Sequence, residues 1–71
     1  MRDVEIKPDG ATVDLTLHEL RILNNAMNEI LNGFRIAEFE TRVGGTQYSV
    51  EILLRQVQLA LRVCRASAAT E

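Results

Sequence analysis

The chain predicts a mostly helical α+β domain: an N-terminal β-hairpin followed by two main helices, with a short helix or turn between them, assembled as a dimer. Three observations carry this reading. Residues 3–15 alternate apolar and polar at period two around Pro8-Asp9-Gly10. Residues 17–32 and 46–66 repeat apolar groups at helical spacing. The last helix is apolar on two opposite sides, and a chain of 71 residues has too little material to cover both.

The hairpin comes first. Val4-Glu5-Ile6-Lys7 and Ala11-Thr12-Val13-Asp14-Leu15 predict strands over 3–7 and 11–15. Proline presets the first central turn position, aspartate tolerates the second, and glycine accepts a left-handed conformation that closes the turn. A lone two-stranded hairpin is barely stable in water. Its apolar face is therefore expected to lie on a helix, or its edge to pair with the hairpin of another chain.

The first helix opens on a capping box, with Thr16 as N-cap and Glu19 three residues on, and Leu15 and Leu20 hold the staple positions around it. Asn32-Gly33 predicts a left-handed C-cap. Between these signals Leu20, Leu23, Met27, Ile30 and Leu31 form the expected buried stripe, with Ala26 at its margin. Asn24, Asn28 and Asn32 recur every four residues and line one flank of that stripe. Interior asparagine costs about 0.5–0.7 kcal/mol relative to alanine. Asn24, nearest the core, needs hydrogen-bond partners from residues 34–45 or from another chain.

In residues 34–45 the apolar Ile36, Phe39 and Val43 are spaced as in a short helix, and Gly44 is placed to end it. Gly44-Gly45 is a turn or hinge. Thr46 then caps the last helix, in which Glu51 and Arg55 are correctly ordered for an i,i+4 ion pair. Val50, Leu53, Leu54, Val57, Ala60, Leu61 and Cys64 share its broad inner face. Tyr48, Ile52, Leu59 and Val63 lie opposite, interrupted by Gln56, and are the expected oligomer interface. Residues 1–66 make one domain, and 67–71 are expected to be a flexible C-terminal tail.

Composition narrows the function classes. Ten acidic against eight basic residues give a net charge of −2 and a pI near 5.3, which is no electrostatic footprint for nucleic acid. No apolar run is long enough to span a bilayer, and Met-Arg-Asp-Val-Glu is not the start of a secretory signal. A single cysteine suits a reducing compartment, so a cytoplasmic protein is expected. One histidine and one cysteine do not make a zinc site, and neither metal nor cofactor is expected. His18 has no nucleophile or glycine-rich loop beside it, and Glu38 and Glu40 read as a solvated face, so no enzyme is expected. The outward groups of the first helix (His18, Ile22, Asn25 and Glu29) form the expected partner-binding face. There Ile22 is an apolar anchor with a polar rim.

The alternative class is DNA binding. Phe39-Glu40-Thr41-Arg42-Val43-Gly44, followed by Val50 and Leu53, has hydrophobic and glycine spacing similar to a helix-turn-helix, and Arg55, Arg62 and Arg65 share one flank of the last helix. Against it, Phe39 and Glu40 stand where a small residue is usual. The outward Tyr48, Ile52 and Leu59 also occupy positions that need polar or basic groups.

The run Leu20 to Ile30, then Glu38-Phe39-Glu40-Thr41-Arg42-Val43-Gly44, resembles a group of short bacterial proteins. These share a Leu-x-Asn-Ala-Leu-Asn-Glu-like helix, a Glu-Phe-containing segment, Thr-Arg-x-Gly and a final helix rich in paired leucines. The resemblance spans roughly residues 16–61 and departs at Met27, where leucine is usual, a volume-conserving change. It implies a bacterial cytosolic protein and no particular chemistry. The expected function is a protein–protein interaction module of immunity, antitoxin-like or adaptor type.

Overall fold

Two antiparallel helices carry the core, and the hairpin stands apart from them. A computed structural model describes residues 1–33 and 35–70, the side chains of 68–70 excepted. Strand β1 (Val4–Lys7) pairs antiparallel with β2 (Gly10–Val13), with Val4 opposite Val13, Glu5 opposite Thr12, Ile6 opposite Ala11 and Lys7 opposite Gly10. The turn is thus only Pro8-Asp9. Neither Asp9 nor Gly10 has a positive φ, so the left-handed glycine expected here is not formed. Gly10 instead begins β2, as the fourth residue of a turn that proline initiates.

The register puts Val4, Ile6, Ala11 and Val13 on one face and Glu5, Lys7 and Thr12 on the other. Every residue of both strands is exposed. The expectation that a helix of this chain covers the apolar face is not met. The helices turn their inner faces to each other and offer the hairpin none.

Helix α1 (Leu17–Asn28) opens as its sequence requires. The Glu19 N–H donates to Thr16 Oγ1 at 3.1 Å, and the Thr16 N–H donates to Glu19 Oε1 at 2.9 Å, completing the capping box. Its far end differs from expectation. The chain widens into a π-helical turn, Glu29–Gly33, and Gly33 is not left-handed. The Glu29 carboxylate lies over Gly33, in the space a Cβ would occupy.

Of residues 34–45, only Phe39–Val43 (α2) is helical, and Phe34 lies outside the described residues. Gly44 ends it at φ 90°, its N–H donating to the Glu40 carbonyl at 2.9 Å. Glu38, at φ 55°, is a left-handed residue with a side chain, a conformation that costs about 1–2 kcal/mol. It makes the corner from which Phe39 enters the core.

Helix α3 (Gln47–Thr70) begins under Thr46, whose Oγ1 accepts the Ser49 N–H at 3.0 Å. Its 24 residues continue past residue 66, where the sequence pattern placed its end. Residue 71, the end of the expected tail, lies outside the described residues.

The core is Met27, Phe39, Val50 and Leu54, with Ile30, Leu31, Ile36, Val43 and Val57 packed against it. Leu20 and Leu61 are buried as well. On α3 the inward positions are therefore 50, 54, 57 and 61; on α1 and its π-helical extension they are 20, 24, 27 and 31. Both follow the 4-3-4 spacing of a coiled-coil seam. That seam is narrower than the stripes expected from composition. Leu23, Ala26, Leu53, Ala60 and Cys64, placed inside or at the margin by their periodicity, are all exposed. One helix contacting one helix covers only a narrow arc of each.

The capping box predicts a coupled loss of stability. Thr16→Ala should cost about 0.5–2 kcal/mol. Glu19→Ala should weaken the same helix start, and the double variant should lose less than the sum of the two. Denaturant melts of the four chains measure that coupling.

Candidate interaction surfaces

Each helix has a side opposite the shared seam, and on α3 it is lined by exposed apolar groups. On α3, at 100° per residue, the direction opposite 50-54-57-61 is occupied by Tyr48, Ile52, Leu59 and Val63. Their exposures are 71%, 39%, 57% and 57%. All four are exposed among the described residues. Arg55 and Arg62 border this stripe. The Arg55 Nη2 donates to Glu51 Oε1 at 2.8 Å, the i,i+4 pair expected from the sequence.

On α1 the same geometry places His18, Ile22 and Asn25 outward, followed by Glu29 at the start of the π-helical turn. All four are exposed, Ile22 by 53%. Asn25 Oδ1 accepts from Asn24 Nδ2 at 3.2 Å, so one member of the expected rim is already engaged within the helix. The α1 face and the α3 stripe each oppose the common seam, so they lie on opposite sides of the helix pair. The fold does not bring them together.

Three grooves run beside the seam. One is lined by Asn24, Gln58, Leu61, Arg62 and Arg65. A second, of about 440 Å³, is polar and lined by Asn28, Asn32, Gln47, Glu51, Arg55 and Gln58 among others. Within it Asn32 Nδ2 donates to Asn28 Oδ1 at 2.9 Å. The asparagine flank expected to tie down residues 34–45 thus faces the polar side of α3 instead. Asn24 is half-buried in the seam itself, and its Oδ1 is buried with no hydrogen-bond partner among the described residues. The partner its position demands is not supplied by residues 35–45.

The third groove, of about 370 Å³, is apolar, formed by Leu23, Met27, Ile30, Val43, Val50 and Leu53 with the backbone of Gly44-Gly45. Its rim residues Leu23 and Leu53 were assigned to the core by periodicity. The available signal was chain length, since two helices cannot cover stripes this broad. Among the described residues no group of three or more His, Cys, Asp or Glu side chains is gathered closely enough to hold a metal ion. Among the same residues no helix is long and apolar enough to cross a membrane.

No protein-family model, curated protein or solved structure matches this chain.

Asn24 yields a prediction of its own. A buried acceptor without a donor costs about 1–3 kcal/mol, so Asn24→Leu should raise the unfolding free energy by about 1 kcal/mol. Asn24→Asp should lower it, because it puts a charge in the seam. Thermal and denaturant melts of both variants give the sign.

Proposed function

We propose that this chain is a small non-enzymatic protein–protein interaction module, cytoplasmic and homo-oligomeric, of the immunity, antitoxin-like or adaptor kind. The observation that supports this best is the exposed stripe Tyr48-Ile52-Leu59-Val63, aligned along one side of a 24-residue helix. Exposed apolar groups aligned on one side of a helix, here interrupted only by Gln56, mark interaction sites when they form a patch. The stripe serves self-association in this reading, and His18, Ile22, Asn25 and Glu29 on the opposite side face the partner protein. The resemblance to short bacterial proteins agrees with a bacterial setting.

A DNA-binding alternative draws on the succession of α2, the left-handed Gly44 and α3, with Arg62 and Arg65 lining a polar groove between α1 and α3. Weighing against it, a recognition helix reads bases with its N-terminal residues. The first turns of α3 offer Gln47, Tyr48, Ser49, Glu51 and Ile52, with no basic side chain.

Replacing Ile52 and Leu59 by glutamate should dissociate the oligomer, since burial of each is worth about 1.5–3 kcal/mol. Light scattering reads the change, and a monomeric mass for the unmodified chain removes the self-association claim.

Partner binding is tested separately on α1. A protein that copurifies with the native chain should be lost from Ile22→Asp while helical signal and oligomer mass stay unchanged. Salt-sensitive anisotropy with duplex DNA, abolished by replacing Arg55 and Arg62, would instead favour the DNA reading.

A further inference from the structure

We propose that the free edge of β1 pairs antiparallel with β1 of a second copy of this chain, centred on Ile6, to make a four-stranded sheet shared by two protomers. This surface is distinct from the α3 stripe, so the inference goes beyond the interface proposed above and does not rest on it.

The hairpin itself poses the problem. It is two-stranded and amphipathic, every residue of both strands is exposed, and Ile6 is 78% exposed. Two strands alone are marginal in water, and a third or fourth strand is the usual remedy. The whole molecule shows the same deficit. Its radius of gyration is 13.9 Å, against about 11 Å for a compact chain of this length. Its surface is 5828 Å² at 8.0 kDa, roughly 1,400 Å² more than a compact monomer of that mass exposes. The exposed hairpin and the α3 stripe both contribute to that excess.

Backbone geometry selects the contact. The two-residue turn closes on Lys7 opposite Gly10, and the Asp14 N–H donates to the Asp3 carbonyl at 3.0 Å. Glu5 and Lys7 therefore direct their N–H and C=O groups toward β2, as Asp3 does its C=O. Val4 and Ile6, alternating with them, direct theirs to the free edge. A two-fold axis through Ile6 lets its N–H and C=O bond those of the partner's Ile6.

Charge selects the register. With Ile6 at the centre, Glu5 stands opposite the partner's Lys7, and Lys7 opposite the partner's Glu5, giving two cross-strand ion pairs on the polar face. Shifting the centre to Glu5 keeps the backbone parity but sets Glu5 against the partner's Glu5. A further shift to Val4 sets it against the partner's Asp3. The centred register alone matches both charged residues of β1 with opposite charge. Free strand edges normally carry charge to repel pairing; this edge carries one charge of each sign, arranged to match itself. Strand β2 has no charged residue with which to do the same. Pro8, which has no N–H, ends the pairing immediately beyond β1. The Val4-Ile6 sides of both hairpins fall on one face of the shared sheet, with Ile6 beside the partner's Ile6.

The test is cross-linking of the full chain in a Cys64→Ser background. Residues opposite one another in a hydrogen-bonded antiparallel pair have Cα atoms about 5.5 Å apart, within disulfide reach. Ile6→Cys should form covalent dimers on mild oxidation, and Ala11→Cys, exposed on β2, should not. Adding Glu5→Lys or Lys7→Glu to Ile6→Cys places like charges opposite each other and should slow cross-linking about tenfold. Mixing the Glu5→Lys and Lys7→Glu chains should restore the rate, because the two are complementary as a heterodimer. Circular dichroism checks that the helices persist in each variant. Equal cross-linking of Ile6→Cys and Ala11→Cys overturns the proposal, as does a rate indifferent to the charge changes. Repeating the reaction with Ile52→Glu and Leu59→Glu keeps the two surfaces apart: cross-linking should persist even where the α3 interface is lost, and its loss there would count against an independent β1 contact.

Discussion

The seam between α1 and α3 is the constraint on which the rest of this molecule depends. Leu20, Met27 and Leu31 on one side, with Val50, Leu54, Val57 and Leu61 on the other, give two helices a common inward direction. Phe39 and Ile36 from the connecting segment close one end of it. Once the seam sets the rotation of both helices, every other side chain is assigned its place. Asparagines and glutamines flank one groove and leucines flank another. Tyr48-Ile52-Leu59-Val63 points away. A helix pair of this size has no second layer, so whatever does not face the seam faces outward.

Asn24 shows how tightly the seam assigns roles. It sits at an inward position between Leu20 and Met27, where an apolar residue would pack better, and its Oδ1 is buried without a partner. A single polar residue at such a position is a known device for specifying register and partner choice at some loss of stability. The π-helical turn Glu29–Gly33 belongs to the same problem. It widens the helix where Ile30 and Leu31 must both reach the core before the chain turns toward Phe39. The left-handed Glu38 completes the turn, and its backbone conformation is unfavourable for a residue with a Cβ.

Much of the local structure was legible because it follows from short-range chemistry. The capping box at Thr16 and Glu19, the Thr46 cap, the Glu51–Arg55 pair and the Gly44 stop each involve residues within four positions of each other. The hairpin followed from alternation and proline. What could not be read this way needed three-dimensional context. Gly10 and Gly33 have the spacing of left-handed glycines, but one begins a strand and the other ends the π-helical turn, neither with a positive φ. Leu23, Leu53 and Cys64 have core-like spacing, and their exposure depends on how wide a surface the opposite helix presents.

The sequence by itself determined which segments are strand and helix, where most of them start, and that α3 is apolar on two sides. Those properties depend on backbone propensity, caps and periodicity, all of which act over one or two turns. Only the tertiary structure decided how narrow the contact on the inner side of α3 is, which groups flank it, and that the apolar face of the hairpin stays exposed. These are questions of available surface. In a chain of 71 residues there is enough of it to bury one seam, while the α3 stripe and the apolar face of the hairpin stay exposed.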